Sequence, residues 1–263
     1  MTLAEATAGF LLSTRQTLST VTPQLQSHTY EQATQLLISY YSADSPTGDV
    51  TAASLRDFLA RWYLEKARTS KLNLSGLNVS VSITEGSTTD SRVVSLDPPE
   101  SDQLPAPQEI LAAMVDFFQW VDENTGEELT KRCSQTVTEL SETLPQAIVI
   151  TRLLSRWAQE RRGAFSFPEF LTSFEEGGQS QYDIDTPGNI GALEGYFRII
   201  RVEGSLVEAE DLISEECVWP IIFPSEVAVL LDRPYVINLE LLRMKEGWQI
   251  ASCGFAYPPG TEI

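Results

Sequence analysis

Residues 196 to 211 read Tyr196-Phe197-Arg198-Ile199-Ile200-Arg201-Val202-Glu203-Gly204-Ser205-Leu206-Val207-Glu208-Ala209-Glu210-Asp211. Two strand-like runs, Tyr196 to Val202 and Leu206 to Asp211, flank the short connection Glu203-Gly204-Ser205, a form that suits a hairpin. Three more such runs follow, Cys217 to Phe223, Tyr235 to Met244 and Trp248 to Tyr257, the last two joined by Lys245-Glu246-Gly247. Between them, Phe223 to Leu231 reads as a short helix capped by Ser225, and Pro220 belongs at a bulge or an edge. Five strands and one short helix in so few residues predict a small, strongly bent sheet or barrel of SH3-like or OB-like size.

Towards the N-terminus the hydrophobic period changes from 2 to 3.6. Tyr30, Ala33, Leu37 and Tyr41 share one helical face, as do Leu55, Phe58, Leu59 and Trp62. The second of these runs starts at Asp49 or Thr51, either a good N-cap. A third, with Ile110, Met114, Phe117 and Val121, begins at Pro107 and stops at Asn124-Thr125-Gly126. A fourth carries Leu129, Cys133, Val137 and Leu140. A fifth follows Pro145 with Ile148, Thr151, Leu154 and Trp157, and ends at Arg161-Arg162-Gly163. Within residues 71–105, the alternating pieces Leu77 to Ile83 and Arg92 to Leu96 suit an inserted hairpin, and Asp97 to Asp102 a linker.

Fold class and organisation follow. The chain is expected to be α+β, with an N-terminal helical bundle (1–174) carrying an inserted hairpin or loop (71–105). An acidic linker (175–190) then leads to a small β-barrel-like domain (191–263). With 263 residues, burial alone can hold such a fold together without a disulfide or metal.

Composition narrows function. The chain has 37 Asp and Glu against 18 Lys and Arg, a net charge of −19. That excess opposes binding to phosphate backbones and points to a protein partner with a basic surface. No run reaches the ~18 apolar residues of a membrane span. Cys133, Cys217 and Cys253 are odd in number and lack CxxC spacing, so reduced thiols and a cytoplasmic location are expected. One histidine, His28, excludes a His-rich zinc site and most acid–base triads.

Catalytic motifs are equally sparse. There is no Gly-x-Ser-x-Gly elbow, Walker loop or Gly-x-Gly-x-x-Gly turn, and no cofactor is expected. Asp183-x-Asp185-x-x-Gly188, with Glu194 at the twelfth position, superficially resembles a calcium loop. Thr186-Pro187-Gly188 breaks its middle, so a solvated acidic linker is the expectation. Paired acids such as Glu208/Glu210 and Glu215/Glu216 lie in polar stretches, without the apolar walls that separate the pKa values of an acid–base pair. The aromatic residues Trp219, Phe223, Trp248 and Tyr257 are expected mainly in the core, with some available for a peptide-binding face.

Tyr30, the helix Leu55-x-x-Phe58-Leu59-x-x-Trp62-Tyr63 and the run Val115-Asp116-Phe117-Phe118-Gln119-Trp120-Val121 carry a resemblance. On them, residues 28–121 resemble the helical core-binding domain of tyrosine recombinases. The resemblance implies a small helical bundle only, because the family's Arg, His and Tyr constellation has no counterpart here.

The expectation is therefore a non-enzymatic interaction or scaffold protein. Its alternative is an enzyme or ligand-binding protein with a carboxylate site at the junction of the helical and β parts, near Glu169, Glu175, Glu176, Asp183 and Asp185.

Overall fold

A computed structural model describes residues 5–7, 9–13, 24–43, 50–69, 79–85, 88–94, 104–162 and 191–263. It is a mixed helix and sheet protein, with helices N-terminal and a five-stranded sheet C-terminal. Two compact units are formed. One comprises Met1–Val79, Val93–Gln146 and Gly260–Ile263, the other Ser80–Arg92 and Ala147–Pro259.

The first unit is helical. Helix α1 (Gln24–Ala43) buries Ala33, Leu37, Tyr40 and Tyr41 at helical spacing. Helix α2 (Ala52–Asp57) starts at Thr51, whose hydroxyl accepts from the Ser54 amide at 3.1 Å while the Ser54 hydroxyl accepts from the Thr51 amide at 2.9 Å. This reciprocal cap selects Thr51 over Asp49. The helix continues through a π-helical turn (Phe58–Trp62) into α3 (Tyr63–Thr69), keeping Leu55, Phe58, Leu59, Trp62 and Tyr63 buried. Helix α4 (Pro107–Thr125) has proline in its first turn and ends at Gly126, whose φ of +74° is the left-handed conformation that suits glycine. Ahead of these helices, Phe10 stacks among Tyr30, Phe117 and Trp120.

Helix α5 (Leu129–Arg162) corrects one expectation. The predicted fourth and fifth helices are one helix, with Pro145 inside it. A mid-helix proline removes one hydrogen bond and costs about 3 kcal/mol. Here Leu140, Leu144, Ala147, Ile148 and Leu154 form a buried stripe on both sides of Pro145, and burying each of its Leu and Ile side chains is worth about 1.5–3 kcal/mol. Packing outweighs propensity. The start of α5 is held by Asp122, whose carboxylate accepts from the amides of Leu129 at 2.7 Å and Thr130 at 3.0 Å.

The second unit contains the segment Ala147–Arg162 of α5 and the sheet. A two-stranded hairpin, β1 (Val79–Glu85) and β2 (Thr88–Val94), forms within the expected inserted segment, but its second strand starts at Thr88, four residues before the expected Arg92. The larger sheet comprises β3 (Gly191–Glu203), β4 (Leu206–Asp211), β5 (Cys217–Ile222), β6 (Val236–Met244) and β7 (Gly247–Tyr257). Strands pair in the order β3-β4-β5-β7-β6, and β6 returns to β3. The length of β3 makes that return possible. Its first part, Gly191 to Arg198, pairs with β6, and its second, Phe197 to Glu203, with β4.

Phe197, Ile199, Val207, Ala209, Ile221, Leu239 and Ile250 fill the interior. Helix α6 (Ser225–Ala228) adds Val227; Pro224, rather than the expected Ser225, occupies its N-cap position. β5 pairs with β7 only at Trp248 and Gln249, and further along β7 two side chains of α5 engage it: the Ala256 amide donates to the Thr151 hydroxyl at 2.8 Å, and Ser155 hydrogen-bonds Cys253. A side chain thus satisfies backbone that would otherwise offer an open edge.

One polar cluster pins the helical unit. Tyr40, fully buried, donates its hydroxyl to Asp57 at 2.7 Å, and Arg61 donates to the same carboxylate at 2.5 and 2.8 Å. Burial pushes the Asp57 carboxyl up, but the hydrogen bonds from Arg61 and Tyr40 and the Arg61 charge outweigh it and hold it below its usual range. A carboxyl depressed on folding stabilises above its unfolded pKa and loses that contribution as pH falls through the folded value. Stability should therefore decline with acidification below about pH 4, and less so in Asp57→Asn. Tyr40→Phe should cost about 1 kcal/mol at neutral pH. Denaturant unfolding at neutral and acid pH measures both.

Candidate functional site

Regular strands send alternate side chains to opposite faces. In β3, Phe197 and Ile199 point into the sheet interior, so Ile200 faces out and Arg201 should return inward. It does not. Ile199 pairs with Ala209 and Arg201 with Glu208, leaving Ile200 as an extra residue on β3. This bulge makes Ile200 and Arg201 consecutive exposed residues and restores alternation at Val202.

A second bulge lies on the other side of β4. Val207 pairs with Ile221 and Ala209 with Val218, so Trp219 and Pro220 together lie opposite Glu208. Pro220 has no amide hydrogen to offer a ladder, and a bulge does not require one. This is the placement its sequence context predicts. Gly247 completes the arrangement: its φ is +134°, and a Cβ there would come within 2.8 Å of the Pro220 carbonyl oxygen.

Both irregularities therefore flank Glu208, and they assemble one outward patch. Ile200 is 51% exposed, and Trp219 and Leu206 are each 37% exposed. The Arg201 guanidinium lies 4.9 Å from the centre of the Trp219 ring. Its Nε donates to Glu208 at 2.9 Å and its Nη1 to Glu203 at 2.6 Å. Further along the strands, Arg198 donates to Glu210 at 2.9 Å, and exposed Cys217 stands opposite Glu210. The turn after β4 is tied down by Asp211, which accepts from the Ile213 amide at 3.1 Å and the Ser214 hydroxyl at 2.7 Å. Glu215 and Glu216 then stand exposed.

Chemically the patch joins exposed apolar area to a row of ion pairs. Tryptophan and arginine present large, rigid areas that combine apolar burial with directional polar contacts. Exposed ion pairs like these contribute only about 0–1 kcal/mol each, and the cation–π contact about 0.5–1 kcal/mol. Stability alone therefore gives little reason for the patch.

The structure places the sequence candidates as follows. Glu194 is exposed on β3 opposite Glu240 of β6. Asp183 and Asp185, its partners in the calcium-loop comparison, lie outside the described residues, as do Glu169, Glu175 and Glu176. Among the described residues, no group of three His, Cys, Asp or Glu could hold a metal ion. His28 falls in α1, and its side chain lies outside the described set. Phe223 and Tyr257 are buried, as core packing predicts, whereas Trp219 is turned outward. Asp57, hydrogen-bonded and depressed, is the reverse of a carboxyl raised for acid–base work. Among the described residues, no helix is long and apolar enough to cross a membrane.

No protein-family model, no curated protein and no solved structure matches the chain.

The three thiols should react very differently. Burial pushes the Cys253 thiol up to about 12, partly opposed by the Ser155 hydrogen bond, and burial also raises buried Cys133. Thiolate is the reactive form, so both should be slow. An aromatic disulfide reagent at mildly alkaline pH should titrate one fast thiol, Cys217, and Cys217→Ser should abolish that phase. A fast phase that persists in Cys217→Ser would contradict the burial of Cys133 and Cys253.

Proposed function

We propose that this chain is a non-enzymatic protein-binding module, and that the outer surface of β3, β4 and β5 is its binding face. We read the closed five-stranded sheet as a small barrel of SH3 or OB size, with a short helix before its last two strands. The carrying observation is the patch around Glu208, where two bulges turn Ile200 and Trp219 outward beside Arg201. Bulges recur where a strand must re-aim side chains for function. Three free cysteines support a cytoplasmic setting, where thiols stay reduced.

The neighbouring β7 edge sharpens the contrast. There, Thr151 and Ser155 of α5 already engage the strand. The β3–β5 face instead exposes large apolar side chains within an ion-pair lattice, the apolar-centre and polar-rim arrangement of a recognition surface.

A photoreactive amino acid in place of Trp219, compared with one at exposed Lys245, tests this reading in native extract. The face should cross-link a discrete protein from position 219 and not from position 245. With that protein purified, Ile200→Asp and Trp219→Ala should each weaken binding about tenfold or more, as loss of a central contact does. Equal cross-linking from both positions, or a purified partner indifferent to both substitutions, would contradict the assignment.

A further inference from the structure

We infer that the segment seated on this face is cationic with an apolar anchor: a peptide or helix whose Lys or Arg residues flank a large hydrophobic side chain. This rests on the reading of the β3–β5 surface as a protein-binding face and names the class of its partner. The charge count decides it. Arg198 and Arg201 stand against Glu203, Glu208 and Glu210, and the turn after β4 adds Glu215 and Glu216. The arginines leave three carboxylates in excess, apart from Asp211, whose carboxylate is spent on its own turn.

Position matters as much as count. Arg201 is shared between two carboxylates on the Trp219 ring, so an incoming cation finds Glu203 or Glu208 only partly neutralised. Glu215 and Glu216 make no ion pair among the described residues. Their attraction therefore acts on the approach of a partner and makes association depend on salt. The apolar anchor fits the other half of the surface, where Ile200, Leu206 and Trp219 remain accessible.

The competing occupants fit less well. A second copy of the chain carries the same charge of −19 and meets carboxylate with carboxylate. A nucleic acid brings phosphates to the same excess of acids.

The test uses the full chain and two synthetic peptides of roughly 18 residues with identical leucine and tryptophan spacing. One carries Lys at every polar position and the other Glu. A third peptide keeps the Lys composition but scrambles the apolar positions. Binding is followed by fluorescence anisotropy at about 50 and about 300 mM salt.

The Lys peptide should bind at least about tenfold tighter than the Glu peptide and the scrambled peptide, and more weakly at the higher salt. Trp219→Ala should reduce its affinity about tenfold. The double substitution Glu215→Gln, Glu216→Gln should weaken it several-fold and flatten the salt response. Arg201→Gln removes the central cation and should tighten the Lys peptide, an effect that a purely structural role for Arg201 does not give. Thermal melting of each variant shows whether the fold is retained.

Equal binding of the Lys and Glu peptides, with Trp219 required for both, overturns the charge assignment and leaves the protein-binding face standing. Lys-peptide binding unaffected by Trp219→Ala overturns both, because the contact is then elsewhere. Binding of the scrambled peptide as tight as the ordered one overturns the apolar anchor, and failure of every peptide to bind overturns the partner class.

Discussion

Side-chain parity along β4 is the constraint on which the C-terminal architecture turns. A strand alternates strictly, and one inserted residue reverses every side chain beyond it. Both neighbours of β4 insert such a residue, and both do so beside Glu208. On β3 the insertion lets Ile199 and Val202 share the inner parity while Ile200 and Arg201 face out. On β5 it lets Val218 and Ile221 do the same around Trp219 and Pro220. The interior stays filled, and the outward surface acquires large side chains that an unbroken ladder would divide between the two faces.

Closure depends on the same strands. β3 pairs first with β6 and then with β4, so a single long strand joins both sides of the sheet. Bulges increase local twist, which helps such a strand change partners. Around β7, the chain supplies its own cover: the hydroxyl of Thr151 takes the amide that an approaching strand would otherwise seek. On β7 two side chains of α5 engage the strand, whereas the β3–β5 face carries tryptophan, isoleucine and arginine at the surface. The proposal of a recognition face rests on that contrast.

How much of this was legible can be judged residue by residue. Strand positions are readable because, away from the bulges, inner positions are mostly Val, Ile, Leu or Phe at period 2, interrupted by Gly-containing turns. The bulges also leave a signal in the sequence, in the spacing of apolar residues. Ile199 and Ile200 are adjacent apolar residues, and the next inner residue, Val202, lies three positions beyond Ile199. The separation of Val218 from Ile221 repeats that spacing. Pro145 misled because proline is weighed locally, whereas the stripe from Leu140 to Leu154 acts over the whole helix. The Tyr40–Asp57–Arg61 cluster was invisible for another reason: Tyr40 and Asp57 are 17 residues apart, and only the packing of α1 against the following helix joins them. The acidic candidates Asp183 and Asp185 lie outside the described residues, so the site rests on other groups.

Nuclear Overhauser contacts between backbone protons of β3, β4 and β5, in isotopically labelled chain, examine the register itself. The account predicts Ile199 opposite Ala209, Arg201 opposite Glu208 and Val218 opposite Ala209, with Ile200 on one strand and Trp219-Pro220 on the other left out of step. An unbroken ladder, with Ile200 opposite Glu208 and Arg201 opposite Val207, would contradict it and dissolve the patch.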